Sequence, residues 1–192
     1  MTATLLILLP LLGLGGLLYA WYATIVTRRN AVGETLGAID AQLQQRHDLI
    51  PNVLAIASRF LAHERGLLAE LTALRTRALP RLGERDFAAM ADKFAVEGAI
   101  GADLARLFAV AEGYPELTSS AAMVEAQRSY DEVEANIAAA RRFYNSAVAE
   151  LRNAVEIFPG RLLAGFAGVD QLPPFYESAQ AARQPVNASD HL

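Results

Sequence analysis

The sequence predicts an all-α protein in which an N-terminal transmembrane helix is followed by a helical bundle. Residues 5–26 contain no charged side chain. Beyond them, apolar residues recur at alternating steps of three and four, which is the spacing of a helix face that packs in a bundle. Alanine is abundant and β-branched alternation is scarce, so we expect almost no β-strand.

The first element is the apolar stretch from Leu5 to Val26. Its length of about 22 residues matches the ~20 that cross a bilayer core as a helix. An aromatic belt and then a basic flank close its C-terminal side: Tyr19, Trp21, Tyr22, Arg28 and Arg29.

The charge asymmetry around this stretch predicts its orientation. Lys and Arg are absent before it and two arginines follow it, so we expect a single-pass inner-membrane anchor with the N-terminus outside and the rest in the cytoplasm. A cleaved signal peptide is the alternative, but it usually has a basic region before the apolar run. The predicted layout is an anchor over 1–28, a bundle over 29–182 and a disordered tail over 183–192.

Composition excludes several classes of function. The chain of 192 residues has no cysteine, which rules out disulfides, thiolate metal sites and cysteine nucleophiles. The net charge of -4 argues against a nucleic-acid partner, because such proteins usually carry a basic face. Stability must therefore come from helix packing.

The first long helix carries an apolar stripe interrupted by one charge. Arg46 falls on the stripe and must reach solvent or find a partner, because a buried unpaired charge is costly. The apolar members of the stripe are Leu36, Ile39, Leu43, Ile50, Val53, Ala57 and Phe60.

Pro51 follows this charge and predicts a kink or a helix boundary. Proline lacks the amide that would bond the carbonyl of His47. Asp40, Asp48 and Asn52 are the side chains that we expect to satisfy the freed backbone groups or to meet Arg46.

Turn residues at 79–83 precede a helix that runs from Phe87 to Phe108 and ends at 113–115. Ser119 or Ser120 can cap the next helix. The apolar face of this last long helix is predicted to comprise Met123, Tyr130, Val133, Ile137, Tyr144, Val148, Leu151, Val155 and Phe158.

After this helix, residues 172–176 are predicted to form an extended strap on the bundle.

Four segments of the chain resemble the LemA family. The most specific is Ile39-Asp40-x-Gln42-Leu43-x-x-Arg46-x-Asp48-Leu49-Ile50-Pro51-Asn52, hereafter the Asp40–Asn52 motif. The others are Tyr114-Pro115-x-Leu117, the run from Glu134 to Tyr144-Asn145, and Phe158-Pro159. The resemblance covers nearly all of the chain after the anchor.

The resemblance implies an elongated antiparallel bundle of about four helices that faces the cytoplasm. It also implies association with membrane proteases or envelope stress, and no established enzymatic activity. The chain departs from the family pattern where a second Tyr-Asn pair is usual, since Arg152-Asn153 stands there.

The residues form no recognisable catalytic or metal-binding pattern, and we expect no cofactor. His47-Asp48 and His63-Glu64 are helical neighbours that point in different directions. Leu67 stands where the second histidine of a zinc-protease helix would be required. We therefore expect neither a catalytic site nor a metal site.

A structural or interaction motif is the preferred interpretation of the polar cluster. In it, a buried polar network fixes the helix register around the proline. An active centre built from Arg46, Asp48 and Asn52 with Tyr144 and Asn145 is the alternative. The charged run that includes Glu134 is typical of a solvated face. The candidate residues are Asp40, Gln42, Arg46, Asp48, Pro51, Asn52, Tyr144 and Asn145.

These features favour a membrane-anchored scaffold or adaptor without catalytic activity. Its expected partners are the bilayer, through Leu5 to Val26, and either another membrane protein, such as a protease, or a second copy of the chain. A homo-oligomeric protein that organises or remodels the membrane is the first alternative. A hydrolase or metal-dependent enzyme that uses the polar cluster is the second.

Overall fold

The computed structural model describes residues 2–61, 64–78 and 87–177, with side chains from residue 8 onward. Most of these residues are helical and none of them forms a strand, as the sequence predicts. Four long helices and two single turns follow one another: α1 (Thr2–Ala57), α2 (Arg65–Ala78), α3 (Phe87–Ala111), α4 (Pro115–Thr118), α5 (Ala121–Glu156) and α6 (Gly160–Leu163).

The sequence predicts a kink or a boundary at Pro51, and the boundary is wrong, because α1 runs through this proline without ending there. It ends instead at Ala57, and a turn at residues 58–61 follows. The apolar stripe continues past the proline, because Val53 and Ala57 are both buried. Burial of this stripe outweighs the loss of one intrahelical hydrogen bond.

The carbonyl that Pro51 frees is satisfied by another helix. Arg75 of α2 donates from Nε to the backbone oxygen of His47 at 3.0 Å. The expectation that Asp40, Asp48 or Asn52 would fill this role is wrong. A long-range donor thus replaces the missing amide and allows the helix to continue.

The described residues form two compact units. Unit A takes the described residues within 2–39 and 140–175, and unit B takes those within 40–139 together with 176 and 177. These bounds differ from the predicted layout of an anchor, one bundle and a tail, which stays a prediction. Residues 183–192, the turn at 79–83 and His63 lie outside the described residues.

Unit A packs the middle of α1 with the C-terminal half of α5. Trp21 donates from Nε1 to the carbonyl of Ala154 at 3.1 Å, and Arg28 forms an exposed ion pair with Glu150. Between them Ile25 is fully buried. One side of α1 is therefore packed against α5 from about Trp21 onward.

Two further features of unit A lie near the end of α5. Phe158 was predicted on the packed face, but α5 ends at Glu156 and Phe158 is 78% exposed. At Arg152, where the sequence departs from the pattern that it resembles, the guanidinium lies 5.1 Å from the centre of the Phe175 ring. This distance is that of a cation–π contact.

Unit B has an apolar core supplied by α1, α2, α3 and α5. Fully buried side chains from three of these helices include Ile50, Leu71 and Leu107, and Leu117 of α4 closes the core. Residues 172–177 have no regular secondary structure, in line with the predicted strap. Within unit B, Tyr176 stacks on Phe94 with ring centres 4.1 Å apart.

The Pro51 and Arg75 substitutions should be coupled. Arg75→Met should lower the unfolding free energy of the full chain by about 1–3 kcal/mol, because the His47 carbonyl loses its donor. In a Pro51→Ala background the intrahelical amide returns, so the same substitution should cost less than half as much. Denaturant unfolding in detergent micelles measures both costs.

Arg77→Met is the matched control, because Arg77 is exposed on the same helix. This substitution should lower the unfolding free energy by the same small amount in the natural sequence and in the Pro51→Ala variant. If Arg75→Met costs the same unfolding free energy in the natural sequence as in the Pro51→Ala variant, Arg75 does not replace the missing amide and this account is contradicted.

Candidate functional site

Arg46 is held by two carboxylates in unit B. Its side chain is on the buried stripe of α1 and is only 2% exposed. Nη2 donates to the carboxylate of Glu97 and, at 2.8 Å, to the backbone oxygen of the same residue. Nη1 donates to Glu134 of α5 at 2.8 Å. One guanidinium therefore ties three helices together.

His47 completes this group, which we call the Arg46 network: Arg46, His47, Glu97 and Glu134. His47 is 3% exposed, and its Nε2 lies 3.0 Å from Glu97 Oε1. Glu97 is fully buried, whereas the side chain of Glu134 is 31% exposed. The network is thus closed to solvent except at its Glu134 edge.

Gly101 provides the space for the guanidinium. A Cβ at this position would lie 3.1 Å from Arg46 Nη1, closer than ordinary packing allows. The Tyr130 hydroxyl donates to the Gly101 carbonyl at 3.1 Å, and its ring lies beside Phe108 with centres 5.0 Å apart. Burial raises the pKa of Tyr130 to about 12, so this hydroxyl remains a donor at neutral pH.

The charges of the network support one another. Burial alone would raise the pKa of Glu97, but the hydrogen bonds and charges of His47 and Arg46 outweigh it, and the pKa is lowered. For Arg46, burial opposes the charge, and the attraction of Glu134 and Glu97 more than compensates, so its pKa is raised. The pair is therefore a buried ion pair.

The Asp40–Asn52 motif divides into a buried and an exposed half. Arg46 is buried, whereas Asp48, Pro51 and Asn52 face solvent. Asp48 accepts a hydrogen bond from Gln44 at 2.8 Å. The expectation that Asp48 or another acceptor of this motif meets Arg46 is therefore wrong.

Asp40 and Gln42 lie at the beginning of this motif. Asp40 is exposed and pairs with Lys93 of α3 at 3.1 Å. Gln42 is half-buried, and its Oε1 has no hydrogen-bond partner among the described residues. Neither residue belongs to the Arg46 network.

Tyr144 and Asn145 belong to unit A. Tyr144 is fully buried and donates its hydroxyl to the carbonyl of Pro174 at 2.9 Å, which fixes the segment after α6. Burial raises the pKa of this hydroxyl as well. Asn145 is half-buried beside it. The common centre with Arg46 proposed from the sequence stays a hypothesis.

Glu97 is the site residue that the sequence prediction missed. A signal for it exists, because Met90, Phe94, Glu97, Gly101 and Leu104 follow the same alternating steps as the stripe on α1. A lone acid on one buried stripe and a lone base on another predict a pair. Glu134, interpreted as part of a solvated face, is half-buried.

Comparison with known families identifies the chain. The LemA family model matches residues 35–189, which include all four segments that carry the resemblance. The chain belongs to the LemA family. The match begins after the apolar stretch, so the residues that follow this stretch carry the membership. A search of curated proteins found no match.

Membership of the LemA family does not by itself assign an enzymatic function to this chain. Among the described residues, no group of three or more His, Asp or Glu side chains is arranged to hold a metal ion. The absence of a metal site and of a cofactor stays a prediction. What the LemA fold shows at the motif is a buried ion pair below an exposed polar face.

Removing one charge of the network should destabilise the protein more than removing both. Arg46→Met leaves the Glu97 carboxylate buried without its partner and should cost about 3–5 kcal/mol of unfolding free energy. The double variant Arg46→Met with Glu97→Met should recover much of this loss, because no buried charge remains. Denaturant unfolding of the full chain in micelles measures each variant.

Lys93→Met is the control, since it breaks an ion pair whose Asp40 partner is exposed and should cost no more than about 1 kcal/mol. If the double variant loses as much unfolding free energy as the single variants Arg46→Met and Glu97→Met lose together, Arg46 and Glu97 act independently and the account of a coupled pair is contradicted.

Proposed function

We propose that this LemA family protein is a membrane-anchored scaffold or adaptor that binds another membrane protein and has no catalytic activity. The observation that carries the proposal is the division of its family motif. The buried half explains the fold, and the exposed half is left available for a partner.

The anchor is supported by the N-terminal part of α1. Six leucines between Leu8 and Leu17 are 54–69% exposed, which a soluble helix surface seldom tolerates. By length and composition this helix can cross a membrane. With the basic flank at Arg28 and Arg29, we propose a single pass through the inner membrane with the bundle in the cytoplasm.

A non-catalytic role is supported by the closure of the titratable cluster. Arg46, His47 and Glu97 are the groups whose chemistry would suit general acid–base catalysis, and each is 3% exposed or less. Each already hydrogen-bonds within the network. A substrate would have to open the core of unit B to reach them.

The proposed binding face is formed by Asp48, Pro51, Asn52 and Ala55. Their spacing of three and four places them on one side of α1. All four are exposed. Pro51 adds a rigid apolar ring between polar side chains, and its missing amide leaves no backbone donor there. Such a mixed, preorganised face suits a protein partner more than a small substrate.

Site-specific photocrosslinking in living cells tests this function. A photoreactive residue at Ala55 of the full-length protein should crosslink one dominant membrane protein, whereas the same residue at the exposed Ala135 of α5 should not. Asp48→Ala or Asn52→Ala should reduce the crosslinked product several-fold, because each removes a polar group of the face.

Glu132→Ala is the matched control, since it removes an exposed acid from α5. Neither it nor the two motif variants should change the melting temperature by more than a few degrees. Mainly self-crosslinked product at Ala55 would favour the homo-oligomeric organiser. No product above the Ala135 level would contradict a binding role for this face.

A further inference from the structure

At the end of unit A, small residues are buried and large apolar side chains are exposed. Residues 157–166, here called the tip, form the turn after α5, the single turn α6 and the start of the next turn. Small residues of the tip face inward, where Gly160 and Ala164 are buried. Large apolar residues face outward, with Phe158 78% exposed, Leu162 66% and Phe166 82%.

The tip is fixed against α1 at the place where its exposed apolar part ends. A Cβ at Gly160 would lie 2.8 Å from the indole Nε1 of Trp21 and 1.9 Å from the carbonyl of Ala154, so only glycine fits here. Arg29 donates to the carbonyl of Ala167 at 2.7 Å, just beyond the tip. These contacts lie within unit A and join the tip to residues 21–29 of α1.

If the exposed apolar part of α1 spans a bilayer, the helix length puts this junction near the bilayer surface. Residues 2–20 of α1 precede Trp21, and at 1.5 Å per residue they span about 28 Å, close to the ~30 Å of a hydrocarbon core. The side chains at this level are those of an interfacial belt, with Tyr19 72% exposed beside Trp21. If the core extends to Val26, the tip lies deeper still.

We propose that the tip enters the headgroup region of the leaflet from which α1 emerges, with Phe158, Leu162 and Phe166 at the boundary of the acyl chains. The inference rests on the proposed membrane anchor. The exposed Arg161 of the tip suits contact with lipid phosphates. The tip then gives the bundle a second point of attachment, which restrains rotation of the bundle about α1.

The natural absence of cysteine makes this proposal directly testable. Single variants Phe158→Cys, Leu162→Cys and Phe166→Cys of the full-length protein are labelled with bimane and placed in nanodiscs. Nitroxide-labelled lipids then quench any probe that contacts the bilayer. Leu12→Cys serves as the control within the span, and Phe143→Cys, 68% exposed on α5, serves as the control on the bundle.

We expect the three tip probes to be quenched nearly as strongly as the Leu12 probe and several-fold more than the Phe143 probe. A quenched Leu12 probe with unquenched tip probes would overturn the insertion of the tip and leave the anchor intact. An unquenched Leu12 probe would overturn the anchor and the inference together.

Contact of the tip with a second copy of the chain would give a different quenching result. A tip buried against another protein would be shielded both from the lipid nitroxide and from aqueous iodide, and this result would also overturn the proposal. Because all three positions are exposed, the substitutions should leave the melting temperature of the protein nearly unchanged, and agreement among them guards against a defect in one variant.

Discussion

The ion pair between Arg46 and Glu97 is the interaction on which unit B depends. Two charges lie on helix stripes that are otherwise apolar, and neither tolerates burial without the other. Their pairing fixes the register of α1 against α3, because a shift of one residue would place a charge against an apolar side chain. Glu134 extends the same restraint to α5. We infer that this pair contributes more to the specificity of packing than to stability.

Several structural features lie next to this pair. Gly101 leaves room for the guanidinium, and Tyr130 caps the carbonyl of that glycine. Pro51 lies one helical turn after His47, and Arg75 compensates for the amide that it lacks. The exposed face of α1 that bears Asp48 and Asn52 therefore belongs to a helix whose opposite face is held by these buried contacts.

Spacing in the sequence predicted the fold class and most buried positions of α1, α3 and α5, because apolar periodicity reports directly on helix packing. Local rules failed where a distant residue intervened. Pro51 alone predicts a kink or a helix boundary, but Arg75 supplies the donor that the proline removes. Arg46 predicts that an acceptor lies nearby, but its position in the sequence does not identify that acceptor. Glu97 was within reach, because one acid on a second stripe is an equally strong signal.

The end of unit A shows a different limit of sequence reasoning. The periodicity that buries Leu151 continues in the sequence to Phe158, but α5 ends before it and the ring turns outward. Periodicity cannot tell a protein core from a bilayer, because both accept the same side chains. The exposed apolar rings became recognisable as a surface only once Gly160 and Trp21 had fixed their position beside α1.

The protonation state of Glu97 tests the buried ion pair most directly. A ¹³C NMR titration of glutamate carboxyl carbons in the full-length protein, with the Glu97 signal assigned by its loss in Glu97→Gln, reports that state. The titratable and charged groups next to Glu97 are Arg46 and His47, which contact it, and Glu134, which shares Arg46 with it. The structure predicts that Glu97 is ionised at neutral pH and keeps its charge below about pH 4.3, the ordinary glutamate pKa. A carboxyl that takes up its proton above that pH would show that burial outweighs the pairing and would contradict the ion pair.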